Sequence, residues 1–282
     1  MMELCLWKYG EVMEEKMTCR LNVLVVVALL MVSSSARCEL KKETIEYQDG
    51  ATVCQGYLVY DDALHGPRPG VLVIHDWMGL SEQSNARVRC DMLAQLGYVA
   101  FAADMYGKGV RPANRDEASA EAGKFYKDRA LFRSRAGAAL AYLKARPETD
   151  STKTAAIGYC YGGTGVLELA RSGADLSGVV SFHGGLASAS PEDAKSIKCK
   201  VLVLHGADDP FVPADQVAAF EKEMTDAKTD WELVKYSGAV HSFSNPTAGN
   251  DPSSGAAYNE RADKRSWVAM KDFFAEIFQT RQ

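Results

Sequence analysis

The segment Val71-Leu72-Val73-Ile74 is apolar at every position, and near-continuous apolar runs recur at 98–102, 154–157, 178–181 and 200–204. A strand with one face in water alternates apolar and polar residues, so a run without alternation belongs to a strand covered on both faces. Stretches with helical apolar spacing lie between these runs, at 83–96, 130–144, 163–172 and 214–226. Buried strands alternating with helices predict a three-layer α/β fold, a mostly parallel sheet flanked by helices. Shorter strands are expected at 43–47 and 53–59 around the turn Gln48-Asp49-Gly50, and a last one at 231–236. The chain closes in an amphipathic helix from about residue 256 to 278, with Trp267, Met270, Phe274 and Ile277 near one face. Right-handed crossovers then bring the functional loops to the carboxyl ends of the strands.

At 282 residues, with 47% hydrophobic and 24% charged residues, the chain fits one catalytic domain with ample core material. Its net charge of −5 speaks against nucleic acid or an anionic membrane surface as partner. The run 21–32, preceded by Arg20 and followed by Ser33-Ser34-Ser35-Ala36, has the length of a secretory h-region and is too short to span a bilayer comfortably. Residues 1–36 are therefore expected to be a signal peptide, which is more regular if translation starts at Met17, leaving 37–282 as an exported domain without a membrane span. Of the seven cysteines, Cys38, Cys54, Cys90, Cys160 and Cys199 remain after such cleavage, an odd number that leaves one thiol without an internal partner. No CxxC and no pair of histidines at ligand spacing is present, so neither a metal nor another cofactor is expected.

The chemistry begins at Gly158-Tyr159-Cys160-Tyr161-Gly162-Gly163, directly after one buried strand and before a helical stretch. This is the nucleophile-elbow pattern with cysteine as the nucleophile. Side chains two positions away from a strained strand-to-helix turn collide with the strand and helix, hence the glycines. The helix start behind Cys160 favours both a thiolate and an oxyanion. A buried strand at 201–204 runs into His205-Gly206-Ala207-Asp208-Asp209, and a loop after the final strand carries His241. Nucleophile, acid, histidine is the chain order that hydrolases of this layout use. Either Asp208 or Asp209 can supply the carboxylate on this evidence.

The elbow, the segment Asp209-Pro210-Phe211-Val212-Pro213 and the segment His241-Ser242-Phe243 together resemble the dienelactone hydrolase family of α/β-hydrolases, also called carboxymethylenebutenolidases. The likeness runs from about Glu43 to the C-terminus and includes Asp49-Gly50, Gly56-Tyr57-Leu58 and Ala103-Asp104-Met105-Tyr106-Gly107. It implies a Cys160–His241–Asp209 triad acting on a small ester or lactone through a thioester, and it selects Asp209 over Asp208. It places the oxyanion donors at the backbone N–H of Tyr161 and Trp77, whose side chains are expected to shape an aromatic pocket. Asp76 stands where the family has a glutamate that contacts the resting cysteine; it is one methylene shorter. The family's two substrate-binding arginines correspond to Lys108 and Asn245, with Arg111 as a further cation nearby. Asn carries no charge and Lys lacks the guanidinium fork, so dienelactone itself is expected to be a poor substrate. A monomer acting on a small-molecule ester or lactone is the expectation. An acyltransferase, a thioesterase and a non-catalytic ligand-binding protein are the alternatives that the same residues leave open.

Overall fold

The computed structural model describes residues 39–279, and the expected leader lies outside them. Strand β1 (Leu40–Asp49) pairs antiparallel with β2 (Thr52–Asp61), which pairs antiparallel with β4 (Val99–Ala103). From β4 onward the sheet is parallel, through β3 (Arg68–Ile74), β5 (Thr149–Tyr159), β6 (Gly178–Phe182), β7 (Lys200–Gly206) and β8 (Trp231–Tyr236). The order is β1-β2-β4-β3-β5-β6-β7-β8. Among the described residues no helix is long and apolar enough to cross a membrane.

The interior strands carry no polar alternation over their buried stretches because both faces are used. Leu72 and Ile74 of β3 and Val201 and Val203 of β7 pack into one core, against α3 (Arg129–Lys144), α4 (Tyr161–Arg171) and α5 (Ala214–Asp226). Val71, Val73, Ala155 and Ile157 face the opposite core, against α1 (Asn85–Gln95) and α6 (Glu260–Phe278). Each of these valine, leucine and isoleucine side chains, fully buried, contributes about 1.5–3 kcal/mol from apolar transfer alone.

Two helices differ from the sequence expectation. A helix, α2 (Arg115–Lys127), stands where none was predicted; its buried face is only Ala118, Ala122 and Phe125, too thin to register as periodicity. Its start is specified by caps: Asn114 Oδ1 accepts from Glu117 N–H at 3.0 Å, and Glu117 Oε2 accepts from Ala113 N–H at 2.9 Å. The closing helix begins at Glu260 rather than near 256, because the backbone there pairs with the His241 loop, Ala257 N–H donating to His241 O at 3.0 Å.

The elbow helix α4 is fixed by charge as well as by apolar contact. Arg171, fully buried, grips Glu223 of α5 with two nitrogens at 2.8 Å and Glu168 at 3.2 Å. Arg133 of α3 holds the other oxygen of Glu168 at 2.9 Å and reaches Asp193 at 2.6 Å. A buried bidentate pair is costly to half-remove, since the surviving charge has nowhere to go. Glu223→Ala is therefore expected to lower unfolding stability by about 3–5 kcal/mol, read as a lower urea midpoint with unchanged slope. A loss below about 1 kcal/mol would show that Arg171 is not held in this way.

Candidate active site

The parallel register sets the ends of β3, β5, β6, β7 and β8 at one sheet edge, with Ile74 beside Gly158, Tyr159 beside Phe182, and Phe182 beside Leu204. Cys160 follows β5 with φ 55° and ψ −114°. A non-glycine residue in this region costs of order 1–3 kcal/mol and needs its surroundings to enforce it. They do. A Cβ on Gly162 would lie 2.2 Å from Ile74 O, and one on Gly158 would lie 2.0 Å from Gly162 O. Only bare backbone lets α4 start this close to β3 and β5. Among the described residues the other left-handed non-glycine positions are His183, Ser242 and Lys228, so three of these four cluster at this edge.

Cys160 Sγ lies 3.0 Å from His241 Nε2, and His241 Nδ1 lies 2.8 Å from Asp209 Oδ2. Asp209 is fully buried, and its other oxygen accepts from Phe211 N–H at 2.8 Å, which fixes the carboxylate plane. Asp208, the other sequence candidate, points outward and accepts from Gly238 N–H at 3.1 Å. The His241 backbone is tied to 255–257, with His241 N–H donating to Gly255 O at 3.1 Å. Arg89, buried between the Tyr159 and Trp267 rings, clamps the following residues by donating to Ser244 O and to Asp263, each at 2.6 Å. Burial works against a charge on His241, but the hydrogen bonds to Asp209 and Cys160 and their negative charges outweigh it and push its pKa up to about 10.

A second histidine at this edge escaped the sequence reading. Cys160 N–H donates both to Phe182 O at 3.0 Å and to His183 Nδ1 at 3.1 Å, and His183 Nε2 lies 2.8 Å from Ser244 Oγ. Because Nδ1 accepts, the ring proton sits on Nε2 and is given to Ser244. Burial, reinforced by the charge of His241, holds the His183 pKa well below its usual 6.5, so the ring is neutral. The signal was present: His183 directly follows an apolar strand, as the acidic turn after β7 does.

The cleft over Cys160 and His241 has a volume of about 330 Å³, and its walls include Tyr126, Arg129, Thr164, Phe211 and Gln216. Gln216 is fixed by accepting from Leu186 N–H at 2.8 Å. Burial pushes the Tyr126 phenol up to about 12, with the nearby Cys160 charge adding to it, so the hydroxyl stays protonated at neutral pH.

Several expected contributors sit elsewhere. The Tyr161 side chain does not shape the cleft; it is fully buried among His75, Phe125 and Phe132, and the aromatic walls are Tyr126 and Phe211 instead. Its backbone N–H, at the first residue of α4, has no intrahelical acceptor by construction. Trp77 is partly buried on the turn after β3, held by Tyr106 Oη donating to its carbonyl at 2.7 Å. Asp76 is spent on that same turn, accepting from Met78 N–H at 2.8 Å, and burial raises its pKa. Lys108 is exposed and paired with Glu46 at 2.6 Å, away from the cleft walls. Asn245 caps its own short turn, accepting from Thr247 N–H at 3.0 Å. Arg111 is not among the cleft walls: it donates to Asp104 at 3.2 Å and to Gln55 O at 3.3 Å. Cys54, Cys90 and Cys199 are buried free thiols, and Cys160 is the partly accessible one.

A mostly parallel sheet between helical layers, with a strained cysteine turn at the end of its central strand, is an α/β-hydrolase. Residues 54–278 match the model of the dienelactone hydrolase family. The protein usf of Aquifex pyrophilus is 32% identical over 213 residues, spanning 72% of this chain and 87% of its own length. A putative carboxymethylenebutenolidase of Aquifex aeolicus is 27% identical, covering 82% of this chain and 97% of its own. Among solved structures, a dienelactone hydrolase-like promiscuous phosphotriesterase from metagenomic libraries is 44% identical over 85% of this chain and 99% of its own, with TM-score 0.81. A putative dienelactone hydrolase from Klebsiella pneumoniae, at 23% identity and TM-score 0.71, shares the fold. The chain belongs to the dienelactone hydrolase family, and so to the hydrolases of the ester and lactone type.

Because a Cβ on Gly162 would strike the carbonyls of Ile74 and His75, Gly162→Ala must displace the elbow. A shift of about 1 Å at the reacting atom costs on the order of 100-fold in rate. The variant is expected to keep its circular dichroism spectrum and to lose turnover by about that factor; wild-type turnover would contradict the close approach.

Proposed function

We propose that the protein hydrolyses small carboxylic esters and lactones by covalent catalysis at Cys160, with His241 as general acid and base and Asp209 as its orienting carboxylate. The observation that carries this reading is the unbroken chain of contacts, 3.0 Å from Cys160 to His241 and 2.8 Å from His241 to Asp209, at the mouth of the cleft. With the thiol proton held on His241, the sulfur attacks the carbonyl carbon. The new C–S bond places a negative charge on the carbonyl oxygen, which the N–H groups of Tyr161 and Trp77 receive. Collapse breaks the C–O bond, and the imidazolium gives its proton to the departing alkoxide, leaving a thioester on Cys160. Neutral His241 then draws a proton from water as it attacks the thioester; the C–S bond breaks and the acid leaves. In a lactone, both products remain one molecule. Asp209 holds the imidazole with its proton on Nδ1 and stabilises the imidazolium in both steps.

His183 belongs to the same account as a positioning residue. It has no proton to offer the substrate, because its one N–H is committed to Ser244 and its other nitrogen to the Cys160 amide. It holds the nucleophile's backbone in the left-handed conformation.

Two measurements test this reading. Cys160→Ala is expected to abolish hydrolysis of a small activated ester, and undiminished turnover would end the proposal. The second is a pH profile. His241 holds its proton up to about pH 10 in part because of the Asp209 charge, so the imidazolium needed for leaving-group protonation is lost only as pH rises through that value. Asp209→Asn removes that charge, so the alkaline limb of kcat/KM is expected to move down toward neutral pH. A limb in the same place in both proteins would show that Asp209 does not act on His241.

A further inference from the structure

The two positions at which relatives are expected to place substrate-binding cations contribute none to the cleft here: Lys108 is paired with Glu46, and Asn245 caps its own turn. A cation nevertheless reaches the cleft from another wall. Arg129, the first residue of α3, lines it together with Cys160 and His241. No other lysine or arginine, and no aspartate or glutamate, lies among the lining residues. Asp209 is fully buried behind His241 and spent on it and on Phe211 N–H. The neighbouring Asp128 accepts from Leu131 N–H at 3.1 Å to cap the helix.

Three further observations argue that Arg129 is there for a ligand. First, its Nη1 is buried and finds no hydrogen-bond acceptor. Arg68, Arg87 and Arg89 also hide an unpartnered nitrogen, but there it is Nε; Arg129 is the arginine with a buried, orphaned terminal nitrogen among the described residues. An unsatisfied buried donor is rare and points to a missing partner. Second, the guanidinium lies over the Tyr126 ring, 5.2 Å from its centroid, and that ring packs in turn on Tyr161 and Phe132. The cation is thus held against an aromatic wall of the cleft. Third, a cation in the first turn of a helix opposes the macrodipole, so helix stability gives no reason for it.

We propose that Arg129 recognises a carboxylate on the substrate, making this cleft selective for esters or lactones that carry an anionic group distant from the scissile carbonyl. The planar guanidinium matches a carboxylate oxygen pair, and the absence of acidic lining residues leaves nothing to compete for it. The proposal rests on the reading of Cys160 as nucleophile for its kinetic form, but not for its binding form.

The test compares two 4-nitrophenyl esters of equal chain length, one ending in a carboxylate and one in a methyl group. In the wild-type protein kcat/KM is expected to favour the anionic ester, and Arg129→Gln is expected to lower the anionic-to-neutral ratio by at least about tenfold, through KM. Arg129→Lys, with a point charge but no fork, is expected to keep part of the ratio. Glutarate binding to Cys160→Ala, followed by calorimetry, gives a readout without turnover, and adding Arg129→Gln is expected to weaken it by at least about tenfold. A ratio and a glutarate affinity that do not respond to Arg129→Gln would overturn the proposal. Wild-type turnover in Cys160→Ala would instead overturn the nucleophile assignment, while the glutarate titration would still decide the role of Arg129.

Discussion

The structure depends on one close approach, that of Gly158 to Gly162 across the Cys160 turn and of Gly162 to the carbonyl end of β3. Gly158 and Gly162 bring bare backbone to within a distance that no Cβ tolerates. That approach holds Cys160 at φ 55° and presents its sulfur at the sheet edge. The cost of that conformation is of order 1–3 kcal/mol, and it is met by the cores on both faces of the sheet. The Arg171–Glu223–Glu168 cluster pins the elbow helix to its neighbours from behind. His183 secures the turn from the side by accepting from the Cys160 amide.

The general layout was legible because burial on two faces leaves a plain mark in sequence. The all-apolar stretch 71–74 of β3 and the near-apolar β4 to β7 mark interior strands, and each was expected within a few residues of its observed position, apart from the polar N-terminal part of β5. The order of Cys160, Asp209 and His241 was also visible, because each follows a strand. Neighbouring Asp208 and Asp209 could not be separated by pattern, since adjacent residues on a turn differ only in direction. In the structure one is buried against His241 and the other faces water.

What sequence missed are features set by side-chain direction and by partners far away in the chain. Lys108 follows the expected motif, yet Glu46 on β1 captures it. Tyr161 adjoins Cys160 but starts a helix whose first residue points inward, so its ring serves the core, and its amide has no acceptor within the helix. Helix α2 buries three small or single residues and so leaves almost no periodic trace, although Asn114 and Glu117 spell its start. With it went Tyr126, one wall of the cleft, and the stacking partner of Arg129. The expectation that a substrate carboxylate is gripped poorly followed from reading only the positions where relatives carry cations.

The central claim is that catalysis passes through a covalent bond to Cys160. Rapid quenching of the reaction with a slowly hydrolysed ester, followed by peptide mass spectrometry, measures this directly. The account requires an acyl group on the peptide that contains Cys160, appearing in a burst and decaying at the steady-state rate. Turnover with an unmodified Cys160 peptide at every time, or an acyl group on another residue, would contradict it.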